Sequence, residues 1–248
     1  MFLSVDPLAE KYAGWSAYLY TMDNPVRLVD VDGRKVESPI FGKDGKFLEV
    51  DSDGYSGEII VMDEYMYNIA TYGGLKVLEH KRLMELVSQG VASKLNDAGL
   101  NARAFSTIYT HITKRFSDEI DFTRLDGGII NVVDTPIDEF GNMGNENGES
   151  YGRWLNLPIN AQAGTRINAD NTINVTTRLL AGQGQFTTVE YAQSVLAIHE
   201  FKGHGLNGIP EEFPAHSKAY KLEYDHKSTF NKLTLFQQEF IKKNAGVR

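Results

Sequence analysis

Apolar residues recur at helical spacing in three stretches of the chain and at strand spacing in several others. Leu75, Leu78, Leu83, Leu86, Val87, Val91 and Leu95 predict a helix between Gly74 and Leu100, closed by Asn96 to Gly99. Ala104 to Phe116 predicts a second. The third has its apolar body in Ala192, Val195, Leu196 and Ile198, is opened by a capping box at Thr187-Thr-Val-Glu190, and ends between Gly205 and Pro210. Pro39 to Gly54 places Asp-Gly turns between β-rich runs, which predicts hairpins, and Glu58 to Met62 predicts a further strand. Gly127 to Val133 and Arg166 to Arg178 read as strands, the latter a hairpin turning at Asp170-Asn171. Phe140 to Gly152, rich in Gly, Asn and Glu, is expected to be a mobile surface loop. Helices, a small sheet and a last buried helix make this an α+β chain.

That last helix carries the chemistry. Val195-Leu-Ala-Ile-His199-Glu200-Phe-Lys-Gly203-His204-Gly205 puts two imidazoles and a carboxylate on one short buried element. Zn²⁺ binds neutral imidazole nitrogen, and a catalytic site needs three protein ligands, an open position for water and a nearby base. His199 and His204 are the expected ligands and Glu200 the expected base. The common zinc-peptidase signature spaces its histidines four apart, whereas these are five apart. At roughly 100° per residue a fifth residue lies about 140° from the first on an α-helix, too far to chelate. A one-residue π-bulge in the last turn, eased by Gly203, would return His204 to the face of His199.

A third ligand is expected in Pro210-Glu211-Glu212-Phe-Pro-Ala-His216-Ser-Lys-Ala-Tyr220. If Pro210 opens a helix that continues through Pro214, Glu212 and His216 share a face. His216 is the first choice, because imidazole is the commonest transition-metal ligand, with Glu212 then orienting a ligand from behind. Glu212 is the rival third ligand. Tyr220, one turn further, could donate a hydrogen bond to a developing oxyanion or could simply fill core. His80, His111 and His226 are expected to be structural.

The H-E-x-x-G-H arrangement of His199, Glu200, Gly203 and His204 resembles that of the dipeptidyl peptidase III family of zinc peptidases, in which such an extended motif carries the metal. Glu211-Glu212-x-x-Ala215 resembles that family's second motif, whose Glu is a ligand. The order of predicted elements is that of zincins, in which an edge strand beside the active helix holds an extended peptide, so the resemblance implies a zincin-like metallopeptidase.

Phe2-Leu-Ser-Val-Asp6-Pro7, Tyr12-Ala-Gly14-Trp15, Tyr18-Leu-Tyr20 and Asn24-Pro25-Val-Arg-Leu-Val-Asp30-Val-Asp32-Gly33-Arg34 closely resemble the C-terminal end of the Rhs (YD-repeat) associated core domain. In that family a large β-shell encloses a variable C-terminal toxin, and this segment marks where shell ends and cargo begins. Val31 stands where the family's self-cleavage motif usually has Pro. Pro39 to Met62 resembles the start of Bacteroidetes-type polymorphic toxin domains. The resemblance implies residues 1–34 as shell and 35–248 as toxin, a delivered or secreted effector whose partners are a protein or peptide substrate, a cognate immunity protein and the parent Rhs shell.

Composition narrows the alternatives. A net charge of −8 with scattered Lys and Arg argues against nucleic acid. No run approaches a membrane span, and no basic and apolar leader opens the chain, so no secretory signal is expected. Without cysteine, the fold stands on its core alone. Asp51-Ser-Asp53-Gly54 lacks an acid at the closing position of a calcium loop, where Ile60 falls, and is not expected to bind calcium. The expected activity is zinc-dependent peptide hydrolysis. A metal hydrolase acting on another bond, or a non-catalytic tip that binds a target or immunity protein, are the alternatives.

Overall fold

The protein is described by a computed structural model that covers residues 38–52, 55–72, 77–116, 120, 130–133, 137, 163–165, 173–176 and 186–247. The Rhs-like segment up to Arg34 and the Phe140 to Gly152 loop lie outside the described residues.

The architecture is mixed α+β. Four strands, β1 (Pro39–Phe41), β2 (Phe47–Val50), β3 (Ile60–Met62) and β4 (Ala92–Lys94), form a sheet in the order β2-β1-β3-β4, with β1 and β3 parallel and the outer pairs antiparallel. The expected hairpin joins β1 to β2 through Asp44-Gly45. Gly45 sits at φ 85°, and a Cβ there would stand 2.5 Å from the carbonyl oxygen of Ala104, so the turn needs glycine both for its backbone and for its close approach to a helix.

Alternation sends the two faces of this sheet to different cores. Ile40, Ile60 and Met62 pack with Leu83 and Leu86 of helix α2 (His80–Ser88). Phe41 and Val61 face α3 (Ala102–Arg115), joining Phe105, Ile108, Tyr109 and Ile112 in the main core. Helix α1 (Glu64–Ala70), capped by Asp63, follows β3. The helix expected from Gly74 to Leu100 is therefore confined to nine residues. Gly90, at φ 72°, ends it, the Val91 amide donates to the Leu86 carbonyl, and the chain turns to pair β4 with β3. Leu95 keeps the helical rhythm of the sequence but is buried from a 3₁₀ turn.

A second sheet, β5 (Ile130–Val133), β6 (Ala163–Thr165) and β7 (Ile173–Thr176), has the order β5-β7-β6 and closes the main core. The hairpin expected within Arg166 to Arg178 is met, among the described residues, only in its second strand, β7; that strand pairs antiparallel with β6, which lies before Arg166, with Thr165 opposite Ile173. The expected turn residues, Asp170 and Asn171, lie outside the described residues.

One long helix runs through the centre. It begins as α4 (Val189–Ala192) and continues as a π-helix from Gln193 to Leu206. Its cap is Thr188, whose side chain accepts from the Tyr191 amide, not Thr187. Glu190 is drawn away from capping, since its buried carboxylate accepts the Gly57 amide at 3.0 and 3.2 Å. Behind it come α5 (Ser217–Asp225), α6 (Lys227–Phe230) and α7 (Leu235–Asn244), the last with a complete capping box at Thr234 and Gln237. Among the described residues no helix is long and apolar enough to cross a membrane.

Gly203 lets α5 approach the π-helix, because a Cβ added there would lie 3.2 Å from the Cβ of Ala219. Gly203→Val should cost about 1–3 kcal/mol in urea denaturation through overpacking. Ala219→Gly in the same chain should recover part of the loss; a second substitution that only adds to the damage would show that the contact is not the cause.

Candidate metal centre

The expected one-residue bulge turns out to be a whole π-helical segment, and its register builds the site. In a helix bonded i→i+5, residues five apart take the neighbouring positions that residues four apart hold in an α-helix. Leu196, Phe201 and Leu206 are five apart and pack on the main core. Ser194, His199 and His204 are also five apart, and all three are buried on the side that meets α5. Helix α5 answers with an α-helical stripe: His216 at its N-cap, then Ala219, Tyr220 and Glu223.

These two stripes bring His199, His204 and His216 together, with their ligand atoms all within 4.8 Å of one another. Nε2 of His199 and Nε2 of His216 are 2.9 Å apart. Tetrahedral Zn–N bonds of about 2.05 Å would set such nitrogens roughly 3.4 Å apart, so a small outward movement accommodates the ion. Helix α5 starts later than expected. Residues 211–216 form turns that include a cis Phe213–Pro214 peptide, so Glu212 and His216 do not share a helix face. Glu212 is exposed and takes no part, whereas His216 is buried and points into the cluster.

Two of the three imidazoles, His199 and His204, are oriented from behind. Glu223 accepts from Nδ1 of His199 at 2.7 Å and is itself held by the Ser194 hydroxyl, which donates at 2.6 Å. Nδ1 of His204 lies 2.6 Å from the carbonyl oxygen of Ile209, which can only accept. Both histidines thus carry the proton on Nδ1 and turn a lone pair on Nε2 toward the centre, the arrangement that metal-bound histidines show. Nε2 of His204 is fully buried and no hydrogen bond satisfies it.

The electrostatics keep two of the rings neutral. Burial, helped by the neighbouring His199 and opposed by the Ile209 carbonyl, lowers the pKa of His204 to about 3. Burial and His199 likewise lower His216 to about 4, against the pull of the Glu211 backbone. Burial also disfavours charge on His199, but the hydrogen bond and charge of Glu223, with the charge of Glu200, outweigh it and raise its pKa.

Acids close the other side. Glu200 is buried and, with His204 and Glu211, forms a second group whose ligand atoms lie within 4.8 Å. Glu211, which stands in the stretch where a third ligand is expected but receives no role from the sequence, is buried with Oε2 at 3.2 Å from Nε2 of His204 and 3.6 Å from Nε2 of His216. Glu223 and Ser194 are not among the residues expected from the sequence. The spacing of Ser194 to His199 to His204 was a readable signal for Ser194; Glu223 could be found only by its helical distance of seven residues from His216. Tyr220 stacks its ring on His216 and meets His199 edge-on, with centroids 5.1 and 4.5 Å away. Burial, then the charges of Glu223, Glu200 and Glu211, hold its phenol well above the usual tyrosine range, so it remains an O–H donor.

The remaining histidines have other partners. Nδ1 of His80 meets the buried Asp51 carboxylate at 2.5 Å, His111 stacks on Phe47, and His226 packs against Phe116 and bonds with Thr229. Compared with protein-family models, with curated proteins and with solved structures, the chain matches none.

Two expectations follow. Glu223→Gln should weaken metal binding about 10–100-fold, because an amide can accept from only one of its two partners and no longer fixes the tautomer of His199; isothermal titration with Zn²⁺ would detect this, and unchanged affinity would remove Glu223 from the site. The metal-free chain should also lose stability toward acid. Unfolded imidazoles titrate near 6.5, so as pH falls from about 6.5 to 4 the unfolded chain binds about two protons that folded His204 and His216 refuse. His199, with its raised pKa, acts oppositely and loses its contribution as pH rises above 6.5. Replacing both His204 and His216 with Gln should flatten the acid slope in urea denaturation; an unaltered slope would place the sensitivity elsewhere.

Proposed function

We propose that this chain is a zinc-dependent metallopeptidase of zincin-like design, with His199, His204 and His216 as metal ligands and Glu200 as general base. The reading rests above all on the convergence of three buried imidazoles, two of them with their proton fixed on Nδ1 and their lone pair turned inward. Nε2 of His204 makes no hydrogen bond and lies 3.2 Å from the Glu211 carboxylate, a lone pair facing an anion that a cation between them would reconcile. Donor chemistry supports zinc, which imidazole suits well.

Bound there, Zn²⁺ would supply a Lewis acid for the scissile carbonyl and would acidify a water molecule. Glu200 follows His199 directly and lies beside His204, where its carboxylate can take a proton from that water and return it to the leaving amine. Tyr220, kept protonated by burial and by the surrounding acids, can donate to the developing oxyanion. Glu223 and Ser194 hold His199 in one tautomer throughout.

The Rhs-like character of residues 2–34 makes the reading more specific: the peptidase is the toxin carried at the end of an Rhs shell, acting on a protein target and neutralised by an immunity protein. The absence of cysteine suits a domain that meets different redox compartments.

Elemental analysis should find about one zinc per chain, lost in His199→Ala. Glu200→Gln should keep zinc and fold while abolishing hydrolysis of denatured protein substrates and toxicity in cells, because an amide cannot accept the proton. Full toxicity of that variant would overturn the peptidase reading, and a wild-type chain without zinc would overturn the metal.

A further inference from the structure

We infer that Glu211 is a fourth ligand, making the centre a three-histidine, one-carboxylate site in place of an open three-histidine site. The inference rests on the metal reading above and assigns a role to a residue that the histidine motif does not contain. Oε2 of Glu211 lies 3.2 Å from Nε2 of His204 and 3.6 Å from Nε2 of His216, while Nε2 of His216 lies 2.9 Å from Nε2 of His199. The spacing of roughly 3.4 Å between donors on a tetrahedral zinc falls within this range. Oε2 of Glu211 thus stands within ligand spacing of two of the three imidazole nitrogens, His204 and His216, that the centre brings together.

The loop geometry explains why Glu211, and not Glu212, reaches the centre. The π-helix ends at Leu206 with Asn207 as its cap, Gly208 takes a positive φ of 60°, and the Ile209 amide donates to the Gly203 carbonyl, folding the chain back over the last turn. The same reversal aims the Ile209 carbonyl at Nδ1 of His204 and buries Glu211 two residues later. Glu212 then faces solvent. One short loop thus orients a ligand and supplies another.

Charge agrees with this assignment. Three neutral imidazoles leave Zn²⁺ with its full +2 in a buried site, and a bound carboxylate halves it, which favours retention of the ion and weakens the acidification of water. Zinc expands to five-coordinate, so water can still add beside Glu211 or take its place. Glu200, close to Glu211, would then receive its proton from a water at that edge of the site.

The test uses Co²⁺ loaded into the full chain, with its visible absorption reporting coordination and titration reporting affinity. Glu211→Gln and Glu211→Ala should weaken Co²⁺ binding at least tenfold and change the band shape, and should let azide bind more tightly by occupying the vacated position. Glu212→Ala, on the exposed neighbour, should match wild type in all three. Should Glu211→Ala fail to fold, the near-isosteric Glu211→Gln carries the comparison. Glu211 variants with wild-type affinity, spectrum and azide response would overturn the assignment while leaving the three-histidine centre intact. A wild-type chain that takes up no Co²⁺ would overturn the metal reading, and this assignment with it.

Discussion

The i→i+5 hydrogen-bond register of residues 193–206 is the constraint on which the candidate site depends. In an α-helix, His199 and His204 would diverge by about 140°, and Leu196, Phe201 and Leu206 would spread around the helix instead of forming one core-facing line. The wide register solves both problems together. Every fifth residue on one side enters the main core, and every fifth residue on another side enters the histidine cluster. Isolated π-helical turns are uncommon and concentrate at functional sites. A segment this long has weaker local support than an α-helix, so tertiary packing must select it.

That packing comes from both ends and one flank. At the start, the Glu190 carboxylate accepts the Gly57 amide, the Val189 amide donates to the Gly57 carbonyl, and Glu58 bridges Thr188, so the helix is tied to the segment leading into β3. At the end, the loop through Gly208 returns to bond Gly203 and His204. On the flank, Ala219 lies against Gly203 while Glu223 links Ser194 to His199. The groups that fix the helix are in part the groups that orient the imidazoles. Folding and preorganisation of the cluster are thus one event, so an ion bound there would cost little further ordering.

Much of this was legible in the sequence, and the parts that were not share a cause. The β1–β2 hairpin, the strand at Ile60, helix α3, strand β7 and the His199-Glu200-His204 motif follow from periodicity, turn chemistry and residue type. Periodicity alone extends helix α2 too far, because Val91 and Leu95 carry its apolar rhythm past Gly90, where a left-handed residue stops it. The capping-box pattern puts the cap of the central helix one residue early, because Glu190 bonds to Gly57, 133 residues away, and not to its own helix end. Glu223 carries no local signal, Glu211 stands in the candidate stretch without a distinct role, and the sequence predicts a helix where the chain makes turns around Pro214. In each case a long-range contact or a backbone reversal overrode a local rule, which is where single-sequence reasoning carries least information.

The five-residue repeat itself was present in the sequence throughout. Ser194, His199 and His204 run in parallel with Leu196, Phe201 and Leu206, offset by two residues. A search tuned to periods of 2.0 and 3.6 assigns the apolar set to an irregular helix and treats the histidine spacing as a local defect in need of a bulge. Taken together, two independent sets of residues with the same period of five argue for a continuous change of register, since a single bulge would realign only the pairs that straddle it. A polar and an apolar stripe that keep the same unusual period, one facing a core and the other a cluster of donors, are therefore stronger grounds for a π-helix than either stripe alone.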